Sequence, residues 1–303
     1  MFSYRKASLA LLPIAALTAC GGSGANFDNR IQVAPTSSSG YATRSSFISR
    51  SNQTISTDIT LIESLDGRPA NRQIVQVGVE LQPIAGSDGF TVTVSGQDVT
   101  VFWDADRGFY YGEAAGSSVS LYAINESETG QVATYWAFLT HDVADPSNGL
   151  YGPVTIGINS NPAEVDALTG TATYNGRAGV AVSADDRSFH AYADGEIEIT
   201  ANFQSSTLAG EMALSEVENV REGDIEMNDV TILIDETSFA GNGFQTTMTV
   251  DPTDLGLASI GESEVSGQFY GHNGSDIGGS MNAFGTSENG TTALIVGAFS
   301  ASR

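Results

Sequence analysis

The stretch GQFYGHNGSDIGG, residues 267–279, has the pattern of two strands joined by a tight turn. Adjacent side chains on a strand point to opposite faces, so Phe269 and Tyr270 are expected to face opposite ways, one into a core and one onto its rim. Gly271 and Gly278 provide positions where the backbone can take positive φ or approach another chain closely. The stretch therefore predicts a β-hairpin that belongs to a larger sheet.

Further strand patterns surround this hairpin on both sides. Ile197, Ile199 and Ala201 alternate with Glu196 and Glu198, which is typical of a half-buried strand with one face in water. About eight such strands can close into a barrel whose interior is filled by side chains, and closure leaves no free edge. The candidate strands are residues 171–183, 191–203, 208–214, 229–234, 243–250, 265–271, 277–284 and 293–298.

A membrane-spanning barrel is the competing interpretation of these strands. Its outer face would need tall apolar bands with aromatic girdles. The candidate strands and turns carry Glu196, Glu198, Asp229 and Asp276 instead. The pattern therefore favours a soluble barrel.

A second set of strand patterns precedes the barrel. Alternation is clear in residues 74–81 and 90–94, and turn residues separate these runs from the next ones. The polar string NSNPAEVDAL, residues 159–168, marks a boundary. We therefore predict an all-β protein with an N-terminal β-rich domain over residues 53–165 and a C-terminal soluble β-barrel of about eight antiparallel strands over residues 166–303.

The N-terminus has the pattern of an export signal. Arg5 and Lys6 precede a short apolar run, which ends in LTACGG at residues 17–22. Small residues before Cys20 are typical of a bacterial lipoprotein signal, so we predict a signal peptide over residues 1–19 and acylation of Cys20, for example by palmitate. An ordinary signal peptide with a chance cysteine is the alternative. Cys20 is the only cysteine of the chain, so a disulfide or a multi-cysteine metal site is excluded.

Residues 20–52 are rich in Gly, Ser, Thr and Asn and show no sustained period. This composition predicts a flexible tether between the lipid anchor and the folded part. A chain of this kind would hold the folded part roughly 30 Å from the membrane.

The charge of the chain is strongly negative. The formal net charge is −24, and removal of residues 1–20 deletes Arg5 and Lys6 and makes it two units more negative. Such a surface repels nucleic acid and anionic lipid head groups, so we predict no nucleic-acid partner. Adaptation to a salty medium and attraction of a basic partner both remain open as explanations.

The C-terminal block resembles the β-barrel domain of the transferrin-binding protein B family of surface lipoproteins, which includes factor H-binding protein and some haem-acquiring proteins. The hairpin at residues 267–279 is the most specific match, although Ser275 and Asp276 stand where the family usually has Ala and Glu. Three shorter stretches also match: residues 170–176, residues 199–203 with 207–210, and residues 295–299.

The resemblance covers roughly residues 170–303 and implies a handle domain of strands before the barrel. It implies a lipid-anchored protein on the outer face of the outer membrane, with an outer-membrane transporter or surface-export machinery as a further partner. It implies no particular ligand, because the relatives bind different host proteins through variable loops.

Few residues suggest chemistry. His141, His190 and His272 have no metal-ligand spacing, and solvated turns or strand ends explain them as well as ligation does. Acidic clusters at residues 104–106, 185–186 and 222–229 lack the spacing of a calcium loop. We therefore predict that the protein is not an enzyme and has no metal or cofactor, with haem considered only as a ligand.

Aromatic groups in the first block are the best candidates for binding. They occur at residues 102–103, 109–111 and 135–138 on neighbouring strands. Consecutive aromatics must point both ways, so one set enters the core and the other either meets a partner or is covered by another part of the chain. Our candidate ligand-binding residues are Trp103, Tyr110, Tyr135, Trp136 and His272.

Together these features predict a surface-exposed binding lipoprotein of the outer membrane. Its ligand would be a protein or an iron- or haem-bearing molecule captured for uptake. The alternative is a structural or adhesive outer-membrane lipoprotein without a soluble ligand.

Overall fold

The computed structural model describes residues 30–33, 55–64, 72–84, 89–94, 97–106, 108–126, 131–140, 149–184, 191–219 and 227–303. Cys20, His141, His190 and the acidic pair at residues 185–186 lie outside these ranges.

In the part of the chain that the structure describes, the first sheet contains nine strands and ends before residue 160. Its strands are β1 (Arg30–Val33), β2 (Ile55–Ser64), β3 (Arg72–Pro83), β4 (Phe90–Val94), β5 (Gln97–Asp104), β6 (Phe109–Ala114), β7 (Ser117–Glu126), β8 (Val132–Thr140) and β9 (Gly149–Ile158).

From β2 to β9 each strand of the first sheet pairs antiparallel with the next one along the chain. The sheet curls, and its last strand β9 also pairs with β2 over three residue pairs, from Ile62 opposite Tyr151 to Ser64 opposite Gly149. Short turns and alternating side chains explain this order, because hairpin connections place consecutive strands side by side.

Strand β1 lies within the predicted tether. Arg30–Val33 pairs in parallel with Thr155–Ile158 of β9. Four residues are too few to show a strand period in the sequence, so the partner strand and not the local pattern determines this element. The other residues of the predicted tether lie outside the described ranges.

The second sheet contains the other nine strands of the described residues. They are β10 (Thr171–Ala184), β11 (Ala191–Asn202), β12 (Thr207–Asn219), β13 (Val230–Ala240), β14 (Gly243–Thr246), β15 (Met248–Val250), β16 (Ser259–Tyr270), β17 (Asp276–Thr286) and β18 (Thr292–Ser302).

The second sheet closes into an antiparallel barrel. β18 pairs with β10 at one seam, and β12 pairs with β13 on the far side. β14 and β15 together occupy one strand position of the barrel. Both pair with β13, and the strand is interrupted between them at Thr247. The backbone N–H of Asp235 donates to the Thr247 carbonyl and its carboxylate accepts from the Thr247 hydroxyl, so this break is hydrogen-bonded. The prediction of an all-β fold ending in a barrel of about eight strands is confirmed.

The barrel interior is filled by side chains. Ile197, Ile199 and Ala201 of β11 point inward and are fully buried, whereas Glu196 and Glu198 point into solvent, as the alternation predicts. One end holds an aromatic cluster in which Phe269 lies 5.0 Å from Phe239, 5.7 Å from Phe203 and 6.0 Å from Tyr174, measured between ring centroids. The Tyr174 hydroxyl donates to the Gly274 carbonyl at 2.7 Å, which fixes this end to the following turn.

A short helix, α1 (Pro162–Asp166), connects the two sheets. The Asn161 side chain caps it by accepting from the backbone N–H of Ala163 at 3.0 Å, and Pro162 takes the first helical position. The carboxylate of Glu164 accepts from the backbone N–H of Asn273, so the helix is tied to the hairpin turn of the barrel.

The outer face of the barrel at β10, β17 and β18 packs against β7, β8 and β9 of the first sheet. The Asn125 amide donates to the Ser300 carbonyl at 2.8 Å, and the Thr155 hydroxyl donates to the Gly279 carbonyl at 2.9 Å. The Thr134 hydroxyl lies 3.1 Å from that of Ser300. The two sheets therefore share a continuous buried junction.

Phe269 and Tyr270 face opposite ways as expected, but the expectation that one of them lies on a rim is wrong. Phe269 enters the barrel core and Tyr270 points outward, but both are fully buried. The first sheet covers the Tyr270 ring, which lies so close to Gly157 that a Cβ there would be 2.3 Å from Cδ1. Gly271 follows with φ of 71°, which meets the expectation of a positive φ at the turn.

None of the helices among the described residues has both the length and the apolar character that crossing a bilayer requires.

Candidate binding surface

The outward face of strands β5–β8 carries a row of aromatic side chains. On β5, Val99 and Val101 are buried, so side chains at the even positions of that strand point away from the core of the first sheet. Strand pairing then aligns the outward residues of the neighbouring strands. We call this set the aromatic face: Phe102, Phe109, Tyr111, Tyr122, Trp136 and Phe138.

The rings of the aromatic face contact one another across the strands. The ring centroids of Phe109 and Tyr122 lie 4.2 Å apart, and those of Tyr122 and Phe138 lie 5.4 Å apart at an interplanar angle of 80°. Phe109 also meets Tyr111 edge to face at 6.1 Å. The described ring contacts therefore join Phe109, Tyr111, Tyr122 and Phe138 into one connected set.

The aromatic face is covered at one end and open at the other. Trp136 and Phe138 pack against Ala181 and Val296 of the barrel, together with its residues Tyr192 and Leu294. At the open end Phe102 is 47% exposed and Tyr122 is 39% exposed. The surface therefore continues from the buried junction of the two sheets into solvent.

The opposite face of the same strands forms the core of the first sheet. Tyr110 and Tyr135 are buried there, with ring centroids 6.1 Å apart. Trp103 lies at the end of this face, 43% exposed and edge-on to Tyr110 at 5.3 Å. Of these three candidate residues, only Trp103 is open to a partner in this structure.

His272 lies apart from the aromatic residues, in the turn between β16 and β17. Its Nδ1 is 3.1 Å from the carboxylate of Glu164 on α1. The five candidate binding residues therefore do not form one site: Tyr110, Trp103 and Tyr135 lie together, Trp136 lies on the other face of the sheet, and His272 lies at the end of the barrel.

Of the candidate residues taken from the sequence, Trp136 belongs to the aromatic face, whereas Tyr110 and Tyr135 are buried in the core of the first sheet. Phe102, Tyr111 and Phe138 belong to the aromatic groups found in the sequence and point outward. Tyr122, which stands alone in the sequence, was missed. The outward positions of β5 could have been inferred from Val99 and Val101. Aliphatic residues at these odd positions identify the inward face of the strand, so its even positions point outward.

A polar groove of about 880 Å³ lies on the barrel where the end of β7 meets β10, β11 and β12. Glu196, Glu198 and Glu211 line it, and Glu198 stands directly opposite Glu211. Arg177, also in the groove, forms an ion pair with Glu216 at 2.9 Å. The groove is open, and its lining is more polar than apolar.

Asp194 lies close to this groove on β11. Its Oδ1 is buried and has no hydrogen-bond partner among the described residues. Burial raises the pKa of Asp194 to about 6, while Arg177 of β10 lowers the pKa and Glu216 of β12 raises it. The carboxylate belongs to the junction, since a Cβ on Gly179 would touch both Asp194 and Ile124 of the first sheet.

The described residues contain no group of three His, Cys, Asp or Glu side chains placed to hold a metal ion. The expectations that the protein has no cofactor and no enzymatic activity remain predictions. The structure presents an exposed aromatic surface on a β-sheet. Such surfaces are typical of protein interfaces.

Comparison with known proteins identifies the barrel. Residues 167–303 match the family model of the C-lobe and N-lobe beta barrels of Tf-binding protein B. The second sheet is therefore similar to these barrels, in agreement with the resemblance of the hairpin at residues 267–279. No curated protein sequence matches the chain.

Solved structures of transferrin-binding protein B also resemble the chain. A double mutant from Haemophilus parasuis Hp5 has 13% identity and a TM-score of 0.43, with 83% of this chain and 66% of that one covered. The isotype 1 protein from serogroup B Neisseria meningitidis has 13% identity and a TM-score of 0.37, with 84% and 64% covered. A single mutant from Haemophilus parasuis Hp5 has 14% identity and a TM-score of 0.36, with 83% and 63% covered. The chain spans less than two thirds of the length of these structures.

Proposed function

We propose that this chain is a lipid-anchored protein of the outer membrane surface that binds a protein partner through the aromatic face. The observation that carries the proposal is the open end of that face, where Tyr122 contacts the rings of Phe109 and Phe138, Phe102 stands opposite Tyr111 on the neighbouring strand, and both Phe102 and Tyr122 remain exposed. Exposed aromatic side chains on a rigid surface are typical anchors of protein interfaces.

The filled barrel supports an external binding surface. The barrel interior is occupied by its own side chains, and its end is plugged by the cluster around Phe269. A ligand is therefore expected to bind to outer surfaces and loops. Haem remains a secondary ligand in this proposal, and a visible absorption spectrum of the purified protein after haem addition tests it.

The matching family model and structures belong to proteins named for binding transferrin. We therefore propose a protein ligand of the host or of the medium, and transferrin is the first probe to use. An outer-membrane transporter or surface-export machinery as a further partner is part of the same proposal.

The test compares capture by three forms of the purified protein. Phe102→Ala with Tyr122→Ala removes the exposed anchors. Leu233→Ala is the matched control, because Leu233 is 44% exposed on the barrel, away from the aromatic face. The immobilised proteins are incubated with transferrin and with growth medium, and the bound proteins are quantified by mass spectrometry.

We expect the wild-type protein and the Leu233→Ala variant to retain the same partner, and the double variant to lose at least about tenfold in affinity. Equal retention by all three proteins, with the double variant correctly folded by circular dichroism, would contradict the proposal.

A further inference from the structure

We propose that the aromatic face takes a basic segment of its partner, whose Arg or Lys side chains lie over the exposed rings. This inference rests on the proposed function and specifies the chemistry of the partner at that site.

The aromatic face is only half covered. The barrel covers the part formed by β8, where Trp136 and Phe138 pack against Ala181 and Val296. The part formed by β5–β7 continues the same sheet face without a cover among the described residues, and it presents Phe102 and Tyr122. An occupant of this part would extend an interface that the molecule already has.

The charged side chains beside the rings on β5 and β6 are acidic. Asp98, Asp104 and Glu113 are the charged residues of β5 and β6, and all of them share the outward face with the rings. Asp104 stands directly opposite Phe109, and the Tyr111 hydroxyl donates to the carboxylate of Glu113. The adjoining turn also contains Arg107 in the sequence, outside the described residues.

Aromatic rings flanked by carboxylates, here called the rim, are suited to a cationic ligand. The faces of aromatic rings attract Arg and Lys side chains, more strongly where water is excluded. A neighbouring carboxylate can accept hydrogen bonds from the same guanidinium or ammonium group. Asp104 and Glu113 flank the ring pair Phe102 and Tyr111, which are opposite each other across β5 and β6, so one cation can reach a ring and a carboxylate together.

The charge also disfavours other occupants. The net charge of −24 makes a second copy of this chain repulsive unless the contact is locally neutralised. An anionic lipid surface is repelled in the same way. A basic protein segment is the occupant for which both the rings and the carboxylates are complementary.

The experiment measures binding of two synthetic peptides of equal length to the purified protein by fluorescence anisotropy, at low and at physiological ionic strength. One peptide alternates arginine with glycine, and the other alternates glutamate with glycine.

Three double variants are compared with the wild type. Phe102→Leu with Tyr122→Leu keeps apolar bulk and removes the rings. Asp104→Asn with Glu113→Gln neutralises the rim. Glu196→Gln with Glu198→Gln removes the same charge from the barrel groove and serves as the control.

We expect only the arginine peptide to bind. The leucine variant should bind it about tenfold more weakly, because the cation–π contribution is lost while the apolar surface remains. The rim variant should bind it more weakly and with a smaller dependence on salt, and the barrel variant should bind it as the wild type does.

Three results would overturn the inference: no binding of the arginine peptide, equal binding of the glutamate peptide, or the same loss in the barrel variant as in the rim variant. The last result would mean that net charge alone attracts the peptide. If the partner captured by the wild-type protein requires Phe102 and Tyr122 but is not displaced by the arginine peptide, the proposed function stands and the basic segment does not.

Discussion

Phe102 and Trp103 are neighbours in the chain but belong to opposite faces of β5, and this difference decides their roles. Trp103 follows Val99 and Val101 on the core face and contacts Tyr110, whereas Phe102 stands on the outward face opposite Tyr111. The sequence predicts the alternation itself, since it follows from strand geometry. Which side becomes solvent depends on what the rest of the chain covers, and the residues of one strand do not contain that information.

Asp194 places a carboxylate with a buried oxygen at the junction of the two sheets. Its pKa in the folded protein is raised to about 6 from an ordinary value of 3.8. The folded protein therefore binds the proton more tightly than the unfolded chain does. The stability that this proton contributes is fully present below pH 3.8, decreases as the pH rises, and is lost above about pH 6.

Replacement of Asp194 by Asn should therefore stabilise the protein at neutral pH. We expect a gain of about 1 kcal/mol in the free energy of unfolding at pH 7 to 8, a modest value because solvent screens the partly exposed carboxylate. The gain should disappear as the pH falls toward 4. Urea denaturation of the wild type and the variant across this pH range measures it.

Glu196→Gln is the control for this prediction, since it removes one negative charge from the exposed face of the same strand. An equal gain in Glu196→Gln would show that relief of net charge is the cause. A pH-independent difference between Asp194→Asn and wild type would contradict burial of the Asp194 carboxylate.

At the scale of the elements, the strands of the barrel follow from local patterns, and the exceptions have physical reasons. The eight candidate strands of residues 171–298 all correspond to observed strands, because each has one apolar face. The candidate at residues 243–250 is split into β14 and β15 by Thr247, whose bonds to Asp235 replace the regular ladder. β1 and α1 are too short for a period to identify them.

The packing of β9 on β16 depends on the absence of a side chain at Gly157. The backbone N–H of Gly271 donates to the Ile158 carbonyl at 2.8 Å, and that of Ser160 donates to the Phe269 carbonyl at 3.0 Å. These bonds fix the two strand ends, so the Tyr270 ring has no room to move away from residue 157.

Gly157→Ala should accordingly destabilise the protein by about 1 to 3 kcal/mol through overpacking against the Tyr270 ring. In a Tyr270→Leu background, where the rigid ring is gone, the same change should have a much smaller effect. Urea denaturation of the four proteins gives the coupling free energy of this double-mutant cycle. A cost of Gly157→Ala that is the same in both backgrounds would show that the ring contact is not its cause.

At the scale of the whole molecule, the two sheets pack against each other through a buried junction. The aromatic face begins at this junction and continues into solvent. The resemblance of the hairpin at residues 267–279 to the transferrin-binding protein B family predicts the barrel from the sequence, and the family model matches residues 167–303. The burial of Tyr270 and the half-covered aromatic face could not be predicted, since both arise only when the barrel is placed against β7–β9.

The anchoring of this scaffold gives a further prediction. Cys20→Ser removes the thiol that would be acylated, so the protein should move from the membrane fraction to the soluble periplasmic or secreted fraction. Immunoblots of fractionated cells measure this, and protease treatment of intact cells expressing the wild type tests surface display. Retention of the Cys20→Ser protein in the membrane fraction, or full protection of the wild type from protease, would contradict the corresponding part of the proposal.

Hydroxyl-radical footprinting tests the central claim most directly, because it reports the solvent exposure of individual side chains with and without the captured partner. We predict that oxidation of Phe102 and Tyr122 falls strongly in the complex, while oxidation of Leu233, exposed on the barrel, stays the same. Unchanged oxidation of Phe102 and Tyr122 in a saturated complex would show that the partner binds elsewhere, and the aromatic face would not be the binding surface.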